Sequence, residues 1–434
     1  MEYLPNILFA VALIIGIGYF TKNVKKLIRN IKLGRDLDVS DNKPQRFKNM
    51  MRIAFGQTKM VRRPIAGLLH FVVYVGFIVI NIEVLEIIID GLLGTHRIFS
   101  SIGTLYGVLI GIFEILAVLV FVSVILFWIR RNVLKLQRFW KPEMTAWPKN
   151  DGNFILYFEM VLMTLFLVMN ATDVQFQSME SGNIISQFIA PWFSGLPEEA
   201  LHIIERSAWW LHILGILVFL NYLYYSKHLH IILAFPNTYY GKLKPKGQFN
   251  NLEAVTKEVK MMMDPNVDPF AAPAEDTNEM PAKFGASDVQ DLSWVQLLNA
   301  YTCTECGRCT SECPANLTGK KLSPRKIMMD TRDRLEEVGK NIDANNGEFK
   351  DDGKQLLDDY ITREELWACT TCNACVEACP VSIDPLSIIL EMRRYLVMEQ
   401  SAAPAELNVM MTNIENNGAP WPYNQMDRLN WKNE

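Results

Sequence analysis

The stretch Cys303-Thr-Glu-Cys306-Gly-Arg-Cys309-Thr-Ser-Glu-Cys313-Pro314 decides how this chain is read, because Cys369-Thr-Thr-Cys372-Asn-Ala-Cys375-Val-Glu-Ala-Cys379-Pro380 repeats its spacing. Two-residue gaps let three thiolates of one tight loop reach three irons of one cubane. In the bacterial two-cluster pattern the fourth cysteine, followed by proline, ligates the other cluster. The spacing therefore predicts Cys303, Cys306, Cys309 and Cys379 around one [4Fe–4S] cluster and Cys369, Cys372, Cys375 and Cys313 around a second. That uses all 8 cysteines. A zinc site would need a single tetrahedral set and no repeated Cys-Pro. Disulfides do not suit a reducing cytoplasm.

Working outward, Leu292–Tyr301 reads as a short helix delivering the first run. Ser323–Val338 reads as a helix with an N-cap serine and Pro324 at its first position, and Pro385–Glu399 as another capped by Asp384. The long gap between the runs makes 288–400 an all-helical two-cluster domain, followed by a tail, 401–434. Residues 233–287 collect Pro236, Pro245, Pro265, Pro269, Pro273 and Pro281 and read as an extended linker.

The preceding half has a different character. Of the 434 residues, 1–232 hold 22 Lys and Arg against 16 Asp and Glu, whereas 233–434 hold 21 against 31. The net charge of −4 does not suit a nucleic-acid binder. Five apolar segments approach the roughly 20 residues needed to cross a bilayer: Leu4–Phe20, Ile65–Ile89, Leu105–Trp128, Phe154–Asn170 and Ala208–Tyr225. Residues 21–63 carry 13 Lys and Arg and residues 129–153 carry 6, while Arg97 is the sole basic residue of 90–104 and Arg206 that of 171–207. The positive-inside rule then puts the N-terminus outside and the cysteine domain in the cytoplasm. The first segment lacks a basic n-region and a small-x-small site, so it reads as an anchor. Residues 174–205 read as interfacial helices forming a lid over the bundle.

All 6 histidines precede residue 231. His70 lies within the second span, His212 within the fifth, and His228 and His230 at its cytoplasmic end. Ionisable residues inside a membrane are functional candidates, and two histidines from different helices suit a b-type haem. His212 and His230 are 18 residues apart, so they share one face, about 27 Å apart, if the helix runs on through Ser226. One haem would then join His70 to His230. His212 would serve a second haem, or replace His230 as the partner of His70. His96 and His202 fall outside the bundle. Glu83, Glu86 and Glu114 lie within spans as candidates for proton transfer to a quinone or for pairing with polar neighbours.

On the elements Trp209-Trp-Leu-His212 and Ser226-Lys-His-Leu-His230, the membrane half resembles the gamma-subunit-type b cytochromes of nitrate reductase and heterodisulfide reductase. The second half is similar to the cluster-binding N-terminal part of the heterodisulfide reductase iron–sulfur subunit and of the related glycerol-3-phosphate dehydrogenase and glycolate oxidase iron–sulfur subunits. Fused chains of this type resemble electron-transfer-flavoprotein:menaquinone oxidoreductases. The resemblance implies a multi-pass protein of the inner (cytoplasmic) membrane with a five-helix, cytochrome-b-type bundle, b haem, and a quinone as substrate. Two departures stand out: only His70 matches the two histidines usual in the second span, and there is no Cys-Cys pair of the CCG type. The resemblance therefore implies a separate CCG-domain iron–sulfur subunit or an electron-transfer flavoprotein as partner. Ala419-Pro-Trp421 resembles the segment leading into CCG domains, which makes the tail a docking candidate. The function expected is electron transfer between that partner and the quinone pool. The alternatives are quinol-driven supply of electrons to a thiol, disulfide or sulfur-compound reductase, and a redox-sensing membrane protein without enzymatic activity. Gly16-Ile-Gly18 lies in a span and is no dinucleotide fingerprint.

Overall fold

The computed structural model describes residues 3–179, 181–245, 247–266 and 283–433. Among these the chain is helical and has no strand beyond two isolated bridges. Five helices are long and apolar enough to cross a membrane: α1 (Leu4–Ile31), α2 (Pro64–Leu93), α3 (Thr104–Asn132), α4 (Trp147–Thr172) and α5 (Glu198–Tyr222), the last carried on to Tyr225 by a 3-10 turn. Proline in the first turn starts α1, α2 and α4, where its missing N–H costs no helical hydrogen bond. Packing runs α1 to α2, α2 to α3, α3 to α4, α4 to α5 and α5 back to α1, which closes a ring. Large apolar side chains such as Ile14, Leu68, Val108 and Val161 face outward, as lipid contact requires. Close approach inside the ring depends on small residues: a Cβ on Gly91 would lie 2.6 Å from the Phe9 ring.

The helices are longer than the apolar segments. α1 runs eleven residues past Phe20 into its basic end, where Lys26 and Arg29 pair with Asp343 and Asn30 donates to the Tyr301 hydroxyl at 2.9 Å. The helix thus leaves the apolar zone to become a post for the cysteine domain. That domain is built on α7 (Trp294–Thr302), α8 (Pro324–Ala344) and α9 (Pro385–Arg394), which follow α6 (His230–Tyr239) in the chain. Its core continues without a break into Leu27, Ile155, Phe219, Leu223 and Leu229 of the bundle end. The Ser323 and Asp384 caps form as the sequence predicts, accepting from the Lys326 and Ser387 backbone N–H groups.

Two expectations change. α5 does not run through to His230, because Ser226 is extended (φ −113°, ψ 148°). The carboxylate of Asp151 on α4 accepts from the Tyr222 hydroxyl (2.6 Å) and the Lys227 N–H (3.1 Å), and the Ser226 hydroxyl accepts from the His228 N–H. These acceptors compete with helical carbonyls and end the helix, so His212 and His230 do not share a helix face. Within 233–287 the chain is not uniformly extended: α6 crosses into it and packs on α7, and Glu253–Met263 is a further helix. Residues 267–282, with Pro269, Pro273 and Pro281, lie outside the described residues.

Of the segment 174–205 read as a lid, residues 198–205 instead form the first turns of α5, and only the part before them is made of short helices. Short helices Val174–Ser178 and Ser186–Ile189 cap the ring. Buried Glu114 of α3 holds them, accepting from the N–H groups of Ile185 (2.7 Å) and Ser186 (3.1 Å) and from Asn170 (3.1 Å). Glu86 is likewise committed, to the Tyr106 hydroxyl and the Phe99 N–H. Of the three span glutamates, only Glu83 has a buried carboxylate oxygen without a partner among the described residues.

Candidate metal centres

Helix α7 ends at Thr302 and delivers Cys303 on extended backbone. The turn that follows needs left-handed residues at Glu305 (φ 53°) and Gly307 (φ 71°), and the second run repeats them at the same offsets, Thr371 (φ 57°) and Asn373 (φ 62°). The two loops therefore share one backbone shape that turns successive sulfurs to one side. At Gly307 the need is also steric, since a Cβ would lie 2.6 Å from the Arg325 guanidinium.

The structure brings Cys379 of the second run beside Cys303, Cys306 and Cys309 of the first, around a small cavity also lined by Met328, Val381, Ile383 and Arg325. Cys313 in turn lies among Cys369 and Cys375, with Cys372 beside Cys369. Each grouping thus gathers three sulfurs from one loop and one from the other. Backbone N–H groups already point at sulfur, Thr371 to Cys369 (3.4 Å) and Ile383 to Cys379 (3.3 Å). Burial pushes the Cys303 thiol up to about 12 and the Cys379 thiol up to about 11, so these sulfurs become thiolates when a metal replaces the proton. Four soft sulfurs around a dry cavity fit an iron–sulfur cubane. Cys372 alone among the eight is exposed.

The histidines divide. His70 on α2 and His230 at the start of α6 face each other with ring centroids 6.4 Å apart, and the His228 ring lies 5.3 Å from that of His230. Two imidazoles bound on opposite sides of one metal at about 2 Å per bond have centroids about 6 Å apart. His230 Nδ1 bonds the Lys227 carbonyl at 3.1 Å, which leaves Nε2 bare as a metal ligand requires. Burial holds the His228 and His230 imidazoles below their ordinary range, hence neutral. His70 Nδ1 is buried without a hydrogen-bond partner among the described residues. These features fit a haem held by His70 and His230. His212 is elsewhere, its Nδ1 on the Leu162 carbonyl at 3.0 Å and its ring near Phe166, so the pairing of His70 with His212 is not the one assembled. His96 follows α2 with its Nε2 3.2 Å from Asp173, whereas His202, expected outside the bundle, sits exposed on the first turns of α5 because that helix starts at Glu198.

A buried ion network that no motif announces joins the two centres. Glu305, between Cys303 and Cys306, pairs with Lys227 of the histidine loop and with Arg332 of α8. The only local sign is an acid at a left-handed position in the loop; its partners come from distant sequence. Breaking a buried pair from one side strands charge at a cost of about 3–5 kcal/mol, reduced here because Arg332 remains. Lys227→Met is expected to lower the thermal midpoint of the full-length protein in detergent, read by bleaching of its visible absorbance.

Residues 302–383 match the family described as 4Fe-4S dicluster domain. The chain is 29% identical to the probable iron-sulfur-binding oxidoreductase FadF of Bacillus subtilis, over 99% of this chain and 61% of the relative. It is 26% identical to the EtfAB:quinone oxidoreductase of Syntrophomonas wolfei, over 91% of this chain and 55% of the relative. A probable membrane-anchored ferredoxin of Chromohalobacter salexigens is 32% identical over 36% of this chain and 25% of the relative. The chain thus spans less than two thirds of the length of each of these relatives. No solved structure matches it. The dicluster match, the iron–sulfur oxidoreductase relatives and the eight gathered cysteines together point to electron transfer through iron–sulfur centres at the end of a five-helix bundle suited to a membrane.

Proposed function

We propose that this chain is a membrane oxidoreductase subunit that carries electrons between a cytoplasmic flavoprotein or CCG-type iron–sulfur partner and a membrane quinone. The observation that carries this reading is the direct link between the sulfur and histidine centres: the Cys303–Cys309 loop is tied by Glu305 to Lys227, the neighbour of His228 in the histidine loop. Cys303, Cys306, Cys309 and Cys379 hold the inner [4Fe–4S] cluster, Cys369, Cys372, Cys375 and Cys313 the outer one, and His70 and His230 a b haem. His212, with its Nε2 left bare, is the residue available to a second haem. When bound, the clusters and haem supply one-electron acceptors and donors.

The protein's own residues do the positioning. Arg308 donates to the Lys59 and Met60 carbonyls (3.2 and 3.1 Å), Arg63 to Ser311 and Glu312, and Arg325 to Glu143, so both basic connections of the bundle grip the cysteine domain. Those are the connections that the positive-inside rule assigns to the cytoplasm, which supports a cytoplasmic cysteine domain and an external N-terminus in the inner membrane. In this reading 1–232 is the membrane part, 233–287 the connection, 288–400 the dicluster domain, and 401–434 a partner-docking tail whose Trp421, Met426 and Trp431 are exposed. The name of the Syntrophomonas relative supports a quinone as the membrane-side substrate and an electron-transfer flavoprotein as partner.

Reduced-minus-oxidised spectra of membranes containing the full chain test this. A b-type absorbance change is expected both with a reduced flavoprotein and with menaquinol. Absence of b haem sinks the conduit reading, and reduction by menaquinol alone favours the quinol-driven supply of a disulfide reductase instead.

A further inference from the structure

The two cysteine groups sit in unlike electrostatic surroundings. Around the inner one, Arg325 is fully buried and lines the cavity with Cys303, Cys306, Cys309 and Cys379. Arg138 and Arg308 lie within Coulombic reach of Cys306, and Arg332 within reach of Cys303. Against these four guanidiniums and the Lys227 ammonium stand three carboxylates, Glu143 on Arg325 and Glu305 and Asp333 on Arg332, with Glu305 shared by Lys227. The Nε atoms of Arg138 and Arg325 are buried and have no hydrogen-bond partner among the described residues. Buried cationic donors left unsatisfied are costly unless an anionic group completes the site, and a cubane carrying four thiolates is such a group. Around the outer group, Arg393 donates to the Leu366 and Cys369 carbonyls and acts on Cys369, and Asp384 lies within Coulombic reach of Cys375. These two cancel, and Cys372 opens that group to solvent.

Resting on the proposed cluster assignment, we infer that Arg138, Arg308, Arg325 and Arg332 raise the reduction potential of the inner cluster above that of the outer one, giving the pair a built-in inward direction. Reduction adds one negative charge, and nearby fixed cations stabilise the reduced form. Burial by itself acts the other way, penalising the added charge. At the inner site that penalty meets an excess of buried and half-buried guanidinium charge, while at the outer site water screens a balanced pair. An electron delivered at the exposed Cys372 edge by the reduced flavoprotein or iron–sulfur partner, which is oxidised by one equivalent, therefore resides preferentially beside the His70 and His230 loop. No bond forms or breaks and no proton is required.

Potentiometric EPR titration of the full chain in detergent or nanodiscs tests this without reference to turnover. Two [4Fe–4S] signals are expected with separated midpoints. Arg308→Gln should shift only the higher one downward and narrow the gap, Arg308→Lys should restore it, and Arg393→Gln should shift only the lower one downward. Arg332→Gln repeats the inner-site test if Arg308→Gln fails to assemble. Two signals with coincident midpoints, or a downward shift of the lower-potential signal by Arg308→Gln, overturns the inferred order while leaving the conduit reading intact. Absence of cluster signals overturns both.

Discussion

Replacing Cys379 with serine is expected to remove the cluster of the first cysteine run, not that of its own. The sulfur of Cys379 faces the cavity that Cys303, Cys306 and Cys309 line, and it accepts the Ile383 N–H at 3.3 Å just before α9 begins. A hard hydroxyl is a poor substitute for a thiolate on iron, so bound iron and sulfide should fall to about half in the purified full chain, the outer cluster surviving. Because metal binding free energy contributes to folding of such domains, the thermal midpoint should fall too. Cys313→Ser is the mirror experiment, costing the outer cluster and sparing the inner. The measurement is iron and sulfide content with EPR of the reduced protein. If Cys379→Ser instead erases the signal that Arg393→Gln perturbs, each run ligates its own cluster and the crossed assignment is wrong.

His70→Ala is expected to abolish the b-type absorbance that depends on His230 and to leave both cluster signals in place. Loss of partners that merely orient a metal ligand weakens metal affinity about 10–100-fold, and removal of the ligand itself should exceed that. The cysteine domain packs on the bundle through Leu27, Leu223, Leu229 and the Arg308 contacts, none of which involves His70, so cluster assembly should not depend on it. His228→Ala is the informative control. Its ring is 5.3 Å from that of His230, but its Nε2 faces Glu159 at 3.6 Å, so haem should be retained. His212→Ala reads out any second haem as a partial loss of absorbance. Full haem content in His70→Ala would rule out the His70 and His230 pairing.

Much of the local structure is legible without coordinates. Ser323-Pro324 and Asp384-Pro385 cap their helices because both devices act within one turn. The crossed cysteine grouping follows from repeated spacing, since two identical loops folded alike place their fourth sulfurs alike. Where sequence-based expectation failed, the deciding partner was distant. The break at Ser226 depends on Asp151, 75 residues earlier, and no periodicity in 208–230 records that competition. For Glu114, read as a candidate either for proton transfer or for pairing with polar neighbours, it is Asn170 and N–H groups 71 and 72 residues away that supply the partners.

The sequence by itself determined the two matched cysteine runs, the five apolar helices and the connections of the bundle that carry its basic charge. Each of these rests on spacing, composition or charge along contiguous chain. Only the tertiary structure decided which histidine faces His70, which glutamate stays unpartnered, and how Glu305, Arg325 and Arg138 surround one cysteine group and not the other. Those are pairings between buried polar groups far apart in the chain. In a low-dielectric interior their strength depends on separation and desolvation, and neither can be read from residue order.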